Sequence, residues 1–451
     1  MPTTPLDERG VRYWEIRQGR IQSNSVALWN KEVKDMSHGV HEGASVRVLY
    51  KNGWGFAYSE EGNLKSIMKQ ALSIAKIIDK KTKVRREIAS QKRTKASKAV
   101  PMKTDFHGIG FEEKKKLLLE MAKSALSDKR ITNASTNYLD ITKETRFTNS
   151  EGSEIRQRLN YCYGGASVTA KRGLKIEQYS RRVGAQAGYE VTKEFHAATE
   201  KAKEKAIALL DAKVPKGGRT KVVCDGVLTD VFIHEALGHA AEADHIIQKA
   251  SCLDGRLGTR IAPDHVTVID DGTIPKMWGS YFYDDEGIKA SKTTLINKGR
   301  LQTFLNSRET AAALRQKLTG NGRAGGISQI PLVRMSNTYI KKHDWKTEEM
   351  FKEMKNGYYL KGSSGGQVDT AVGSFQFSAQ EGYLIERGEI KTLLKNISLA
   401  GNTLELLGNI TAISDRYQAG FPGHCGKSGQ MVPVIGHCPS ILIEDALVGG
   451  K

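Results

Sequence analysis

Apolar residues change their spacing along this chain, and the changes divide it. In 11–58 they tend to alternate with polar ones: loosely in Val11-Arg12-Tyr13-Trp14-Glu15-Ile16-Arg17, cleanly in Ser45-Val46-Arg47-Val48-Leu49-Tyr50. A period of two predicts strands with one buried face. Asn52-Gly53, between Tyr50 and the aromatic run 54–58, is a hairpin signal. Over 63–79 the period lengthens. Leu64, Ile67, Met68, Ala71, Ile74, Ala75 and Ile78 fall at three- and four-residue spacing, which predicts an amphipathic helix. This opening segment reads as a small sheet crossed by a helix.

Residues 111–127 read as a second helix, with Lys114, Lys115 and Lys116 on its solvent side. Between 131 and 189 strands and turns return, with Ser150-Glu151-Gly152 as a turn and Cys162 among apolar neighbours. A third helical stretch, 192–212, ends before the breaker cluster Pro215-Lys216-Gly217-Gly218. Then Lys221-Val222-Val223-Cys224 reads as a strand leading into a helix over 228–248. Short strands follow at 265–269, 293–296, 301–305, 375–377 and 382–386, with turns at 297–300 and 386–389. Many short strands with turn signals suggest a closed or sandwiched antiparallel sheet. The expected class is α+β. Sheet-and-helix units at 1–98 and 99–213 precede a mostly antiparallel β, barrel- or sandwich-like catalytic domain at 218–451, which carries the helix over 228–248.

Composition adds limits. A chain of 451 residues can bury several cores, and 39% hydrophobic with 26% charged residues is ordinary for a globular protein. No apolar run approaches the roughly 20 residues of a membrane span. The start, residues 1–8, has neither a basic nor an apolar region of a signal peptide. Five scattered Cys argue against a disulfide framework and for a reducing, cytoplasmic setting. The net charge of +19 raises a nucleic-acid hypothesis. However, 80–98 holds nine Lys/Arg and one Glu, so eight of those charges sit in one segment. With no nucleic-acid motif elsewhere, a solvated linker is the expected reading and a nucleic-acid partner is not expected.

Candidate chemistry lies in His234-Glu235-Ala236-Leu237-Gly238-His239. The spacing is one residue longer than the zincin motif, whose two His share a helix face at i and i+4 around a general-base Glu. At about 100° per residue, i+5 turns the second His about 140° away from the first. A one-residue π-bulge repairs this, and Gly238 tolerates such a distortion. Catalytic zinc takes three protein ligands and leaves one position for water. His234 and His239 supply two. Glu242, His245, His424, Cys425 and Cys438 are the donors available for the third, and Glu242 could instead orient a His. Glu235, beside a ligand, is placed to move the proton of an attacking water.

The stretch around His234 resembles the active-site helix of the TldD/PmbA peptidase family. The resemblance continues, in the family's order, through Asp270-Asp271-Gly272-Thr273, Asp284-Asp285-Glu286-Gly287, Gly320-Asn321-Gly322-Arg323, Met335-Ser336-Asn337-Thr338-Tyr339, Gly365-Gly366-Gln367-Val368-Asp369 and Cys425-Gly426-Lys427-Ser428-Gly429-Gln430. The intact motif is that of the TldD-like branch. The resemblance implies a cytoplasmic zinc metallopeptidase that cuts peptides or unfolded segments, with His234, His239 and Cys425 on Zn2+ and Glu235 as base. It also implies a dimer, with a second copy or with a PmbA-like chain. A thiolate suits zinc, and Gly423, Gly426 and Gly429 let a tight loop approach it. The rival expectations are a dipeptidyl peptidase of another lineage and a non-catalytic PmbA-like partner or scaffold subunit.

Overall fold

The computed structural model describes residues 6, 8–61 and 63–450. Most of residues 1–8, on which the expected absence of a signal segment rests, lie outside that range. The N-terminal half is built on one seven-stranded sheet. Its strands are β1 (Val11–Trp29), β2 (Glu32–Tyr50), β3 (Gly53–Ser59), β4 (Lys95–Ala99), β5 (Ile131–Asn149), β6 (Glu154–Arg172) and β7 (Lys175–Ala185). The order is β3-β2-β1-β5-β6, with β4 and β7 both pairing β6. Strands from 1–98 and 99–213 thus share one sheet. Helices α1 (Leu64–Lys81), α2 (Phe111–Ala125) and α3 (Phe195–Leu209) cover its apolar positions.

Three details of this half differ from the sequence reading. The end of the segment expected as a solvated linker is not free chain: Lys95–Ala99 is β4, paired in parallel with β6. β1 and β2 are each 19 residues long, well beyond the alternating stretches. The outer half of β2 is exposed on both faces, so it carries no alternation to read. Lys114 is not on the solvent side of α2. Its side chain is 2% exposed, and its ammonium donates to Asp140 Oδ2 at 2.6 Å. Asp140 also accepts from Asn24 Nδ2 at 2.7 Å and Tyr138 OH at 2.8 Å, so the buried cation meets an already organised carboxylate.

The C-terminal half is organised by a nine-stranded sheet with β8 (Gly218–Cys224) near its middle. β8 pairs in parallel with Gly357–Lys361 and antiparallel with Ile441–Gly450. Every other pairing of this sheet is antiparallel. One edge is the short strand Gly366–Asp369. The expected strand over 301–305 is confined to Arg300–Leu301. The α+β class and the mostly antiparallel C-terminal sheet hold.

The two halves meet through buried charge. Arg47 pairs with Glu15 at 2.9 Å and with Glu286 at 2.6 Å, and Arg17 lies 3.6 Å from Asp285. Breaking such a pair leaves an uncompensated buried ion, so these contacts hold the N-terminal sheet to the C-terminal half in one register. No helix among the described residues is long and apolar enough to cross a membrane.

Candidate metal centre

β8 leads directly into the motif. Asp225 caps the following helix, α4 (Gly226–Phe232), by accepting from Leu228 N at 2.9 Å. Leu228, Phe232, Ile233, Ala236 and Leu237 are buried in the largest core of the chain, and this fixes the face the motif presents. From Ile233 to Gly238 the helix widens into a π-turn. The His239 N–H donates to the His234 carbonyl at 3.2 Å, five residues back. Thr403 Oγ1 donates to the Ala236 carbonyl at 3.2 Å and so satisfies a group within the widened turn.

The helix expected over 228–248 is interrupted. After the turn the chain runs beside residue 305: Leu305 N donates to Ala241 O at 2.8 Å, and Ala243 N to Leu305 O at 3.0 Å. These bonds replace helical ones, and a short helix resumes only at Ala243–Ile247. Gly238 has a steric role beyond tolerance of the turn. A Cβ there would lie 1.9 Å from the sulfur of the buried Met335.

The π-turn brings His234 and His239 onto one side, with ring centres 5.2 Å apart and planes nearly perpendicular. The thiol comes from 186 residues away. Gly423–Lys427 and Gln430–Val434 form a hairpin whose two turn residues, Ser428 and Gly429, have φ of 50° and 74°. Arg334, fully buried, donates to the carbonyls of Cys425 and Gln430 and braces both strands. Cys425 Sγ lies 3.2 Å from His239 Nε2, and ligand atoms of His234, His239 and Cys425 all fall within 4.8 Å of one another. The Glu235 carboxylate is 3.8 Å from His239 Nε2 and partly exposed.

A second layer surrounds this triad. Glu242 Oε2 accepts from His239 Nδ1 at 3.1 Å, which leaves Nε2 facing Cys425. Burial opposes ionisation of Glu242, but His239 and Lys427 outweigh it and hold the carboxyl down at about 2. Burial likewise opposes the Cys425 thiolate, yet His234 and His239 bring the thiol down to about 5. Both imidazoles bind protons more tightly than usual: burial works against this, while Cys425 favours it at His234 and Glu242 and Cys425 favour it at His239. The field that gathers protons here also favours a metal cation in their place.

The other donors weighed for the third position point elsewhere. Glu242 faces His239 Nδ1, and His245 Nδ1 lies 3.1 Å from the His239 carbonyl oxygen. His424 is exposed and alternates with Cys425 along its strand. Cys438 is buried in a separate cluster with Ile269 and Tyr339. Two residues were missed by the sequence reading. Lys427 follows Cys425 by two and returns to the same strand face, a period-two signal available in the sequence. Asp230 precedes His234 by one helical turn and sits where a Cβ on Gly420 or Gly436 would meet its carboxylate at 1.9 Å. Burial raises its carboxyl to about 7, against the pull of His234.

Two imidazoles and a thiol at this mutual distance are the donor types of a catalytic zinc site with three protein ligands, and the residues fit that ion. Family models described as PmbA/TldA metallopeptidase match three stretches: domain 1 over residues 14–75, the central domain over 105–210 and the C-terminal domain over 217–450. A metalloprotease of Methanocaldococcus jannaschii is 40% identical over 427 residues, 94% of each chain. A protein of Saccharolobus solfataricus named as a zinc metalloprotease TldD homolog is 30% identical, with 98% of each chain covered. The crystal structure of TldE from Thermococcus kodakarensis superposes with a TM-score of 0.75 at 19% identity, over 97% of each chain.

Proposed function

We propose, for a chain that belongs to the PmbA/TldD metallopeptidase family, a zinc-dependent peptidase acting on peptides or unfolded polypeptide segments. Relatives named as metalloproteases support the peptidase role. The observation that carries the finer reading is the convergence of His234, His239 and Cys425 beside the Glu235 carboxylate. These three residues would hold the zinc. Zinc in such a site polarises a carbonyl and makes water acidic enough to ionise near neutral pH.

The chain's own groups do the rest. Glu235 receives a proton from the attacking water on its carboxylate and returns it to the leaving nitrogen. The water's oxygen ends on the new carboxylate and its two hydrogens on the new ammonium, so the C–N bond that breaks is matched by the C–O and N–H bonds that form. The exposed strand Gly366–Asp369 is an edge of its sheet and packs near the π-turn. An extended substrate would add to that edge through main-chain hydrogen bonds, with little demand on its side chains. The reading includes a dimer, with a second copy or a PmbA-like chain, that closes the site to folded proteins. A monomer by sedimentation at working concentration would remove that part.

Glu235→Gln separates ligand from base. The variant should keep about one zinc per chain and lose hydrolysis of a reduced, carboxymethylated protein. The native disulfide-bonded form of that substrate should survive the wild-type enzyme. Normal cleavage by Glu235→Gln would refute the base. Equal cleavage of both substrate forms would refute the enclosed site.

A further inference from the structure

The chain from His239 to Lys427 has no role in the proton transfers above. Glu242 is wholly buried, and a single oxygen, Oε2, serves both of its donors: His239 Nδ1 at 3.1 Å and Lys427 Nζ at 2.9 Å. Among the described residues Oε1 has no partner, so nothing else holds the carboxylate. The Lys427 side chain is 9% exposed, and its ammonium also donates to Asp244 Oδ1 at 2.8 Å and the Val333 carbonyl at 3.1 Å. Three acceptors match its three donors. Glu242, Asp244 and His245 are themselves grouped closely enough to hold a cation, and the ammonium is the cation that fills the acidic side of that group.

Lys427 and Cys425 are two residues apart on one strand of the hairpin and point to the same face. The turn at Ser428-Gly429 needs left-handed backbone at both positions, which fixes the register of the hairpin. One loop therefore delivers the thiol to His239 Nε2 and the ammonium to the acceptor of His239 Nδ1. A carboxylate oxygen at Nδ1 accepts, so in the neutral ring the hydrogen sits on Nδ1 and the lone pair on Nε2.

We propose that Lys427 is a positioning residue of the metal centre: it holds the buried Glu242 carboxylate in place, and through it fixes the tautomer and orientation of His239 for metal binding. This rests on the zinc reading given above. Without the ammonium, a fully buried carboxylate loses the countercharge and hydrogen bond that Lys427 supplies. It then turns toward water or toward the metal position, and in either case releases Nδ1. Partners of this kind behind a metal ligand typically change metal affinity by about 10- to 100-fold.

The test uses the full chain, zinc affinity by chelator competition, and the thiolate charge-transfer band of the cobalt-loaded protein. Lys427→Met should weaken zinc by about 10- to 100-fold while the cobalt band persists, because Cys425 still binds. Lys427→Arg should recover most of the loss. Glu242→Gln should weaken zinc comparably, and the double variant no further, since the lysine acts through the glutamate. If Lys427→Met does not fold, Lys427→Gln carries the same comparison, removing the charge and keeping a donor. Additive losses in the double variant would overturn the proposal, as would loss of the thiolate band in the single variant, which would make Lys427 an anchor of the hairpin. A wild-type protein with neither zinc nor a thiolate band would overturn the zinc reading itself.

Discussion

Gly238→Ala tests whether the π-turn depends on close packing. The added methyl would lie 1.9 Å from Met335 Sδ, where atoms in contact sit about 3.5–4 Å apart. Either Met335 or the turn must therefore move by about 2 Å. Met335 is fully buried in the same core as Phe232 and Leu237, and close-packed interiors have few voids to accept it. Overpacking of this kind costs about 1–3 kcal/mol, and an overlap this deep belongs at the upper end. Replacing Gly in a helical segment returns about 1 kcal/mol. The net is a local destabilisation of about 2 kcal/mol, or about a thirty-fold increase in opening at about 1.4 kcal/mol per decade. Hydrogen exchange on a peptide covering 232–243 reads this without assuming that the whole chain unfolds in one step. Met335→Ala should cost about 2–5 kcal/mol alone by leaving a cavity. In the double variant the new methyl occupies part of that space, so the two losses should fall short of additivity by about 2 kcal/mol. Unchanged exchange in Gly238→Ala, or strict additivity in the pair, would refute the steric argument.

The remaining predictions concern the third ligand and one buried acid. Cys425→Ser should reduce zinc affinity sharply and abolish the near-ultraviolet thiolate band of the cobalt protein, whereas Cys438→Ser should change neither; a persistent band in Cys425→Ser would move the thiolate elsewhere. Asp225→Asn should matter in a pH-dependent way. Burial raises the Asp225 carboxyl to about 6, and its Oδ1 accepts from both Leu228 N and Gly362 N, a role that Asn Oδ1 can keep. A folded pKa above the unfolded value of about 4 means that the stability linked to this proton is present below pH 4 and lost as pH rises through 6. The variant should therefore match wild type near pH 4 and exceed it by up to about 3 kcal/mol at pH 8. The same difference at both pH values in denaturant titrations would show that the linkage is wrong.

Local periodicity made some of the fold legible and left the rest hidden. The spacing of Ile67, Met68, Ala71 and Ala75 predicted α1, and these residues are buried beneath it. The Lys298-Gly299 and Arg387-Gly388 turns were also readable, and all four residues have positive φ. The single sheet joining β1 to β5 was not readable, because its pairing links residues more than a hundred positions apart and no local pattern encodes the partner. Lys114 was misplaced for a related reason. Its position suggested solvent, but Asp140, 26 residues later, supplies the buried countercharge that keeps it inside.

At the site, types and spacing were legible and their division of labour was not. An odd spacing between His234 and His239 demanded a widened turn, and the His239–His234 backbone bond provides one. The family-like signatures looked equally chemical, yet most of them are consumed by structure. Asp270 accepts from Ser336 N, Ser336 Oγ, Thr338 Oγ1 and Asn321 Nδ2, so three of the signatures form one buried hydrogen-bond network. Asp284 accepts from three backbone N–H groups, and Glu286 receives Arg47 from the N-terminal sheet. These residues hold the strands and loops that hold Arg334, and Arg334 braces the hairpin that carries Cys425. A carboxylate saturated by donors has little left to offer a substrate, whereas Glu235 stays partly exposed and has no hydrogen-bond donor among the described residues. That contrast in satisfaction is invisible in a sequence where both are acidic residues within a motif, and it supports the proton-transfer role proposed for Glu235.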